Sequence, residues 1–153
     1  MRNLSLLLFV PLLSMPGCAE MERYSLRGDQ APLASRIYSA NESSNTVSVI
    51  DALTYKPIAT IDAKGVSTHD LALSRDGNRL YATNMGSGRL SVIDTRGLET
   101  IASIYTGARC HVVALTHDNL HAWVANIGDN TVSIVDTATY RVVGTIAVGR
   151  GPT

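Results

Sequence analysis

The sequence predicts an all-β chain built of β-propeller blades, each of four antiparallel strands. Three observations carry that expectation. First, a segment of about forty-two residues occurs three times. Tyr38-Ser39-Ala40-Asn41 followed by Asn45-Thr46-Val47-Ser48-Val49-Ile50-Asp51 returns as Tyr81-Ala82-Thr83-Asn84 and Gly88-Arg89-Leu90-Ser91-Val92-Ile93-Asp94. It returns again as Trp123-Val124-Ala125-Asn126 and Asn130-Thr131-Val132-Ser133-Ile134-Val135-Asp136. A period of about 40–45 residues made of short β-type runs marks a propeller blade. Second, Arg75-Asp76-Gly77-Asn78 stands between two apolar runs. Asp-Gly there is a hairpin signal, because Gly accepts positive φ without a steric cost. Third, apolar residues alternate with a period of two, as in Leu71 and Leu73 or Val47 and Val49, and no stretch carries a helical period.

The elements follow in order. Residues 1–18 read as a secretory signal: Arg2 supplies a short positive start, and residues 4–13 are apolar apart from Ser5 and Pro11. That run is too short to span a bilayer as a helix. Its end, Met15-Pro16-Gly17-Cys18, resembles a bacterial lipoprotein lipobox. The resemblance implies lipidation of Cys18, whose paired chains would anchor the protein to a membrane. Cleavage near Ala19 without lipid is the other reading. Residues 19–35 lack periodicity and are expected to form a tether.

The repeats occupy residues 36–153, divided as 36–68, 69–110 and 111–153. In the second repeat, strands are expected over 69–74, 80–85, 90–95 and 101–105. The third repeat places His117-Asp118-Asn119 at the first turn, and Asn also tolerates the left-handed conformation. The third strand of each repeat ends in Asp51, Asp94 or Asp136, where a carboxylate can accept backbone N–H groups of the next turn. Three acids at one repeat position point to turn chemistry and not to a catalytic cluster. The first repeat begins at its second strand, which leaves about two and three-quarter blades of a ring that needs four or more. The chain is therefore either a fragment or one of several copies that close a ring. A cut at a repeat junction without a capping segment favours the fragment.

Tyr81-Ala82-Thr83-Asn84 with Leu90-Ser91-Val92-Ile93-Asp94, the Ser74-Arg75-Asp76-Gly77 turn and Gly149-Arg150-Gly151-Pro152 resemble the YVTN β-propeller repeat. The resemblance spans residues 36–153. Ala82 and the Trp123-Val124-Ala125-Asn126 copy depart from it with strand-compatible residues. It implies a seven-bladed ring on the periplasmic side of a bacterial membrane or on the cell surface. More loosely, it implies kinship with the haem-binding domain of nitrite reductases and with sugar lactonases.

Formal net charge is zero over 153 residues, and no Lys/Arg run occurs. The electrostatic footprint of a nucleic-acid binder is therefore missing. With Cys18 lipidated, Cys110 has no partner for an intramolecular disulfide, and it reads as a small buried thiol. No Cys stands three residues before Cys110, so Cys110-His111 is not a c-type haem site.

His69 and His111 occupy one slot, four residues after Gly65 and Gly107, and Thr153 takes it after Gly149. By propeller analogy the slot lies at the start of the innermost strand, beside the central channel. Two histidines there could hold haem or a divalent metal, or hydrogen-bond an anion; the plainer reading is that each caps a loop. His117 and His121 fall at turn positions matching Arg75 and Arg79, and Arg89 and Arg109 read as exposed. Nucleophile-elbow, zinc-protease and phosphate-loop motifs do not occur.

Three functions follow. The first is a non-enzymatic scaffold binding a protein or small-molecule ligand. The second is a propeller handling haem or a metal through His69 and His111. The last is a lactonase-like hydrolase, for which Asp70 is the sole acid near the slot.

Overall fold

The structure, a computed structural model, describes residues 35–153. The signal segment 1–18, the lipidation candidate Cys18 and all of the tether before Ser35 lie outside the described residues. Eleven strands run β1 (Arg36–Asn41), β2 (Thr46–Asp51), β3 (Pro57–Asp62), β4 (Thr68–Leu73), β5 (Arg79–Asn84), β6 (Arg89–Asp94), β7 (Glu99–Tyr105), β8 (Cys110–Leu115), β9 (His121–Asn126), β10 (Thr131–Asp136) and β11 (Arg141–Ala147). One 3-10 turn, Glu42–Ser44, follows β1.

The strands form three antiparallel sheets in the orders β1-β2-β3, β4-β5-β6-β7 and β8-β9-β10-β11. This is the all-β, incomplete propeller that the repeat predicts. The first sheet lacks an innermost strand among the described residues, as its starting point implies. Expected strands in the second repeat sit about one residue late at their starts. Thr68, Arg79 and Arg89 pair through backbone with Asn84, Asp94 and Tyr105, and a ladder does not require an apolar side chain at its first rung.

The core is two layers, each between neighbouring sheets. Val47, Val49 and Ile61 of the first sheet meet Leu80, Ala82 and Ile93 of the second. Tyr81, Leu90 and Val92, on the opposite face of the second sheet, meet Cys110, Val113, Ala122, Val124 and Val135 of the third. Burying each large apolar side chain stabilises by about 1.5–3 kcal/mol. A strand covered on both faces cannot alternate apolar with polar, which is why β5 and β6 carry small or apolar residues between their polar ends, over 80–83 and 90–93.

The repeat landmarks have structural roles. The Asn closing each second strand turns its amide inward and donates to the Ser of the third: Asn41 to Ser48 at 2.8 Å, Asn84 to Ser91 at 2.8 Å, Asn126 to Ser133 at 3.0 Å. Ser91 and Ser133 in turn donate to the carbonyls of Ala63 and Thr106, where the chain leaves the preceding sheet. Gly65 and Gly107 lie against Asn84 and Asn126; a Cβ on Gly107 would sit 2.6 Å from Asn126 Cγ.

The turns behave as their acids predict. Asp51, Asp94 and Asp136 each accept two backbone N–H groups through Oδ1. Gly77 (φ 71°) and Asn119 (φ 58°) supply the positive φ of the first hairpin. Tyr55, Leu98 and Tyr140 hold the same left-handed conformation at one repeat position, just before the fourth strand.

Candidate functional site

β4 and β8 are the innermost strands, and each is irregular near its start. Pairing with the second strand shifts register between Thr68 and Leu71 in one sheet and between Cys110 and Val112 in the other. A bulge re-aims the side chain it carries, and His69 and His111 sit on these bulges. The two histidines are brought together, as their shared repeat slot predicts. Their ring centroids are 4.3 Å apart with planes tilted by 31°.

A third group joins from the first sheet. Glu42, in the 3-10 turn after β1, places Oε2 3.6 Å from His69 Nδ1. Three successive sheets thus converge on one spot: Glu42 from the first, His69 from the second, His111 from the third. His111 Nδ1 is buried and has no hydrogen-bond partner among the described residues. A buried ring nitrogen without a partner is rare in folded proteins and asks for a ligand atom or a water.

The surroundings hold both bulges rigidly. Asp70 Oδ2 accepts the Val113 N–H at 2.9 Å, tying the second sheet to the third. The Thr83 hydroxyl accepts the Asp70 N–H at 3.0 Å and donates to the His111 carbonyl at 2.8 Å. Beneath them Thr68 donates to Asn84 Oδ1 at 2.9 Å. Cys110 takes the place of Thr68 in the third sheet. It is fully buried, its thiol lies against the carbonyls of Asn84 and Arg89, and burial pushes its pKa up. It is a packing thiol held away from the thiolate form.

The donor set accepts some groups better than others. An ion held trans between two imidazoles separates their nitrogens by about 4 Å, twice an N–metal bond, and their ring centres by more. Rings 4.3 Å apart at the centroid and inclined by only 31° cannot sandwich a haem iron in that way. His69 and His111 would be the residues to offer an imidazole nitrogen to a haem iron or to a small divalent ion. Among the described residues no cluster of three or more His, Cys, Asp or Glu is arranged to hold a metal.

A concavity of about 650 Å³ opens between the turn ends of the second and third sheets, away from both histidines. Its polar groups already serve one another. Arg79 bonds Asp94 at 2.8 Å and the Tyr140 hydroxyl at 3.3 Å. Asp76 accepts from Ser74, which with the Asn78 N–H and amide holds its carboxyl at about 2. Burial pushes the Tyr81 hydroxyl up to about 12. This cleft is turn chemistry, and its charged groups are paired, whereas His111 Nδ1, with Tyr38 Oη and Asn126 Oδ1, is among the buried polar atoms left without a partner among the described residues.

Other sequence candidates fall elsewhere. Arg89, expected to be exposed, is half-buried and donates to the Ser103 hydroxyl at 3.0 Å and carbonyl at 3.2 Å, because β7 runs beside it. His117 is exposed, as expected, and lies 3.0 Å from an Arg75 guanidinium nitrogen. Arg109 is exposed in a left-handed conformation, and Thr153 is exposed. Glu42 was not legible from the repeat, since Met85 and Ile127 occupy its position in the other copies.

No protein-family model matches the sequence, and no curated protein matches it. Solved structures do. Kuenenia stuttgartiensis hydrazine synthase superposes with a TM-score of 0.75 at 27% identity, over 81% of this chain and 36% of that one. The dihydro-heme d1 dehydrogenase NirN, in complex with DHE, gives 0.69 at 19% identity over 78% and 25%. Apo AztD from Citrobacter koseri gives 0.64 at 12% identity over 76% and 34%. The chain spans about a third or less of the length of these proteins. The likeness places the three sheets among propeller-like folds.

Proposed function

We propose that this chain is part of an exported, YVTN-type propeller held to the periplasmic side of a bacterial membrane or to the cell surface. Residues 1–18 are its signal, Cys18 its lipid anchor, 19–35 its tether and 36–153 its blades. It acts as a non-enzymatic scaffold that binds a small molecule or a protein at the channel mouth through His69 and His111. No reaction is assigned to it.

The observation that carries this reading is the stacked pair of histidines with an unmet, buried Nδ1 on His111. Imidazole offers both a donor and an acceptor, so the pair can hold a carboxylate or a hydroxyl group. Glu42 beside His69 favours a ligand that also presents a donor. In the lactonase-like alternative Asp70 remains the acid, with one of its oxygens accepting the Val113 N–H.

The second reading is a cofactor-handling propeller with haem or a divalent metal on these histidines. The partnerless His111 Nδ1 favours it, and a haem-type substrate in the name of one structural neighbour makes haem a sensible probe. His69 and His111 would hold the group, and it would supply ligand exchange or electron transfer there.

One experiment separates the readings. Acetate, succinate, phosphate, cobalt(II) and haem are titrated separately while the imidazole NMR signals and the visible spectrum are followed. The scaffold reading expects both rings to shift at a single Kd with an organic anion, and expects His69→Ala and His111→Ala each to remove the effect. A Soret shift or a cobalt d–d band lost in either variant selects the cofactor reading. Silence of both rings toward every probe refutes both readings.

A further inference from the structure

The crossing from the first sheet to the second carries charges that the blade does not need. A cleft of about 510 Å³ opens there, lined by Thr46 and Asp62 of the first sheet, Lys64 of the crossing, and Ser87 and Arg89 of the second sheet. The crossing from the second sheet to the third uses the same repeat positions, with Ile104, Thr106 and Thr131 in place of Asp62, Lys64 and Arg89. Both crossings bring a glycine against an asparagine. The backbone path therefore holds without a charged side chain, and the three charges serve something else.

Arg89 is fixed in place while part of it stays available. Its Nε and Nη2 are taken by the Ser103 hydroxyl and carbonyl, and Nη1 has no partner among the described residues. The Ser103 hydroxyl donates to the Lys64 carbonyl at 3.4 Å, and the Thr100 hydroxyl donates to the Asp62 carbonyl at 2.7 Å. β7 thus holds both the arginine and the chain that carries the lysine. Lys64 Nζ pairs with Asp62 Oδ2 at 2.7 Å, with both side chains more than half exposed. An exposed pair of that kind is worth little, so Lys64 can turn to another acceptor at small cost. Two cations line the cleft against one carboxylate, which leaves it net positive.

We propose that this cleft binds a phosphate group, with Arg89 Nη1 and Lys64 Nζ as its charged donors. A carboxylate is satisfied by one guanidinium fork, whereas a phosphate group offers oxygens in several directions and can use arginine, lysine and the hydroxyls of Thr46 and Ser87 together. Asp62 competes with the anion for Lys64. Neither His69 nor His111 lines the cleft, so the site does not depend on what the histidines hold. The second crossing supplies the contrast. Asp129 stands there in place of Ser87, with Oδ2 accepting the Ala108 N–H at 2.6 Å, and a carboxylate at that position repels an anion.

The test titrates inorganic phosphate into the full chain at low ionic strength, followed by calorimetry and by the side-chain NMR signals of Lys64 and Arg89. One saturable site is expected. Lys64→Met should weaken binding about tenfold or more, the worth of a charge-assisted hydrogen bond. Arg89→Gln should do the same; circular dichroism checks that it folds, and Lys64→Met decides should it not. Asp62→Asn keeps an acceptor for the Lys64 N–H, removes the competing charge, and should tighten binding. Ser87→Asp copies the second crossing and should abolish it. Lys56, exposed and outside the cleft, is the control, and Lys56→Met should change nothing. Glycerol 3-phosphate binding more tightly than phosphate assigns the site to a phosphate ester, and the reverse order assigns it to the free anion. Absence of saturable phosphate binding overturns the proposal. So does acetate that binds as tightly as phosphate, a loss in Lys56→Met as large as in Lys64→Met, or weaker binding in Asp62→Asn.

Discussion

The second and third sheets are two castings of one template, and they differ where each meets its neighbours. In the second sheet Leu90 is fully buried and Thr68 donates to Asn84 Oδ1. In the third, Val132 is only half-buried, and Cys110 stands where the hydroxyl should be, so Asn126 Oδ1 is buried without a partner. Repeat position therefore sets backbone geometry, while the neighbouring sheet sets how much each side chain contributes. The same substitution at the same repeat position should have unequal effects.

The largest inequality is expected in the core layers. Leu90→Ala should destabilise by about 2–5 kcal/mol, the usual range for emptying a buried apolar site. Val132→Ala in the dilute, monomeric protein should cost about 0.5 kcal/mol or less, as surface changes do. Urea denaturation of the two variants checks this, and equal costs would mean that the third sheet's outer face is covered in solution.

Next comes the asparagine bracket. Asn84→Ala takes the acceptor from the buried Thr68 hydroxyl and a donor from Ser91, and should cost about 1–3 kcal/mol. Asn126→Ala should cost less, because it also removes an orphaned oxygen. If Asn126 proves the more important of the two, Oδ1 has a partner such as a buried water.

Cys110→Thr sharpens the same point from the other side. The hydroxyl would repeat the Thr68–Asn84 bond at Asn126 Oδ1, and stability should rise by about 1 kcal/mol. A thermal melt that moves downward would show that the thiol's packing matters more than the missing hydrogen bond.

The smallest effect lies in the turns. The Asp76 carboxyl sits at about 2, below its ordinary 3.8, chiefly because of the Ser74 hydroxyl. Asp118 is lowered in the same way by the Thr116 hydroxyl. A carboxyl depressed in the folded state stabilises above its unfolded pKa, and that contribution fades as pH falls from about 4 toward 2. Both groups are solvated, so the slope is shallow. Asp76→Asn should flatten it in stepped-pH denaturation, and Asp118→Asn should flatten it to a similar extent; a steeper loss in either variant contradicts this assignment.

Much of this was legible in the sequence because a repeat reports on itself. Asp51, Asp94 and Asp136 at one repeat position pointed to turn acceptors, and His69 and His111 in one slot pointed to neighbouring rings. What escaped was whatever occurs once. Glu42 has no counterpart in the other copies, and its approach to His69 depends on the 3-10 turn. The pairing of Arg89 with Ser103 depends on β7, which no local pattern of charges announces. Strand starts were displaced because backbone pairing begins at polar residues such as Thr68 and Arg79.

Gly65 and Gly107 stand where the chain crosses from one sheet to the next, each against the asparagine of the sheet it is about to enter. A Cβ on Gly65 would run into Asn84 Cγ, and one on Gly107 would sit 2.6 Å from Asn126 Cγ. Those same amides hold Ser91 and Ser133 of the following strand. A side chain added at the crossing would therefore act at a distance, by pushing aside the amide that fastens the third strand of the next sheet.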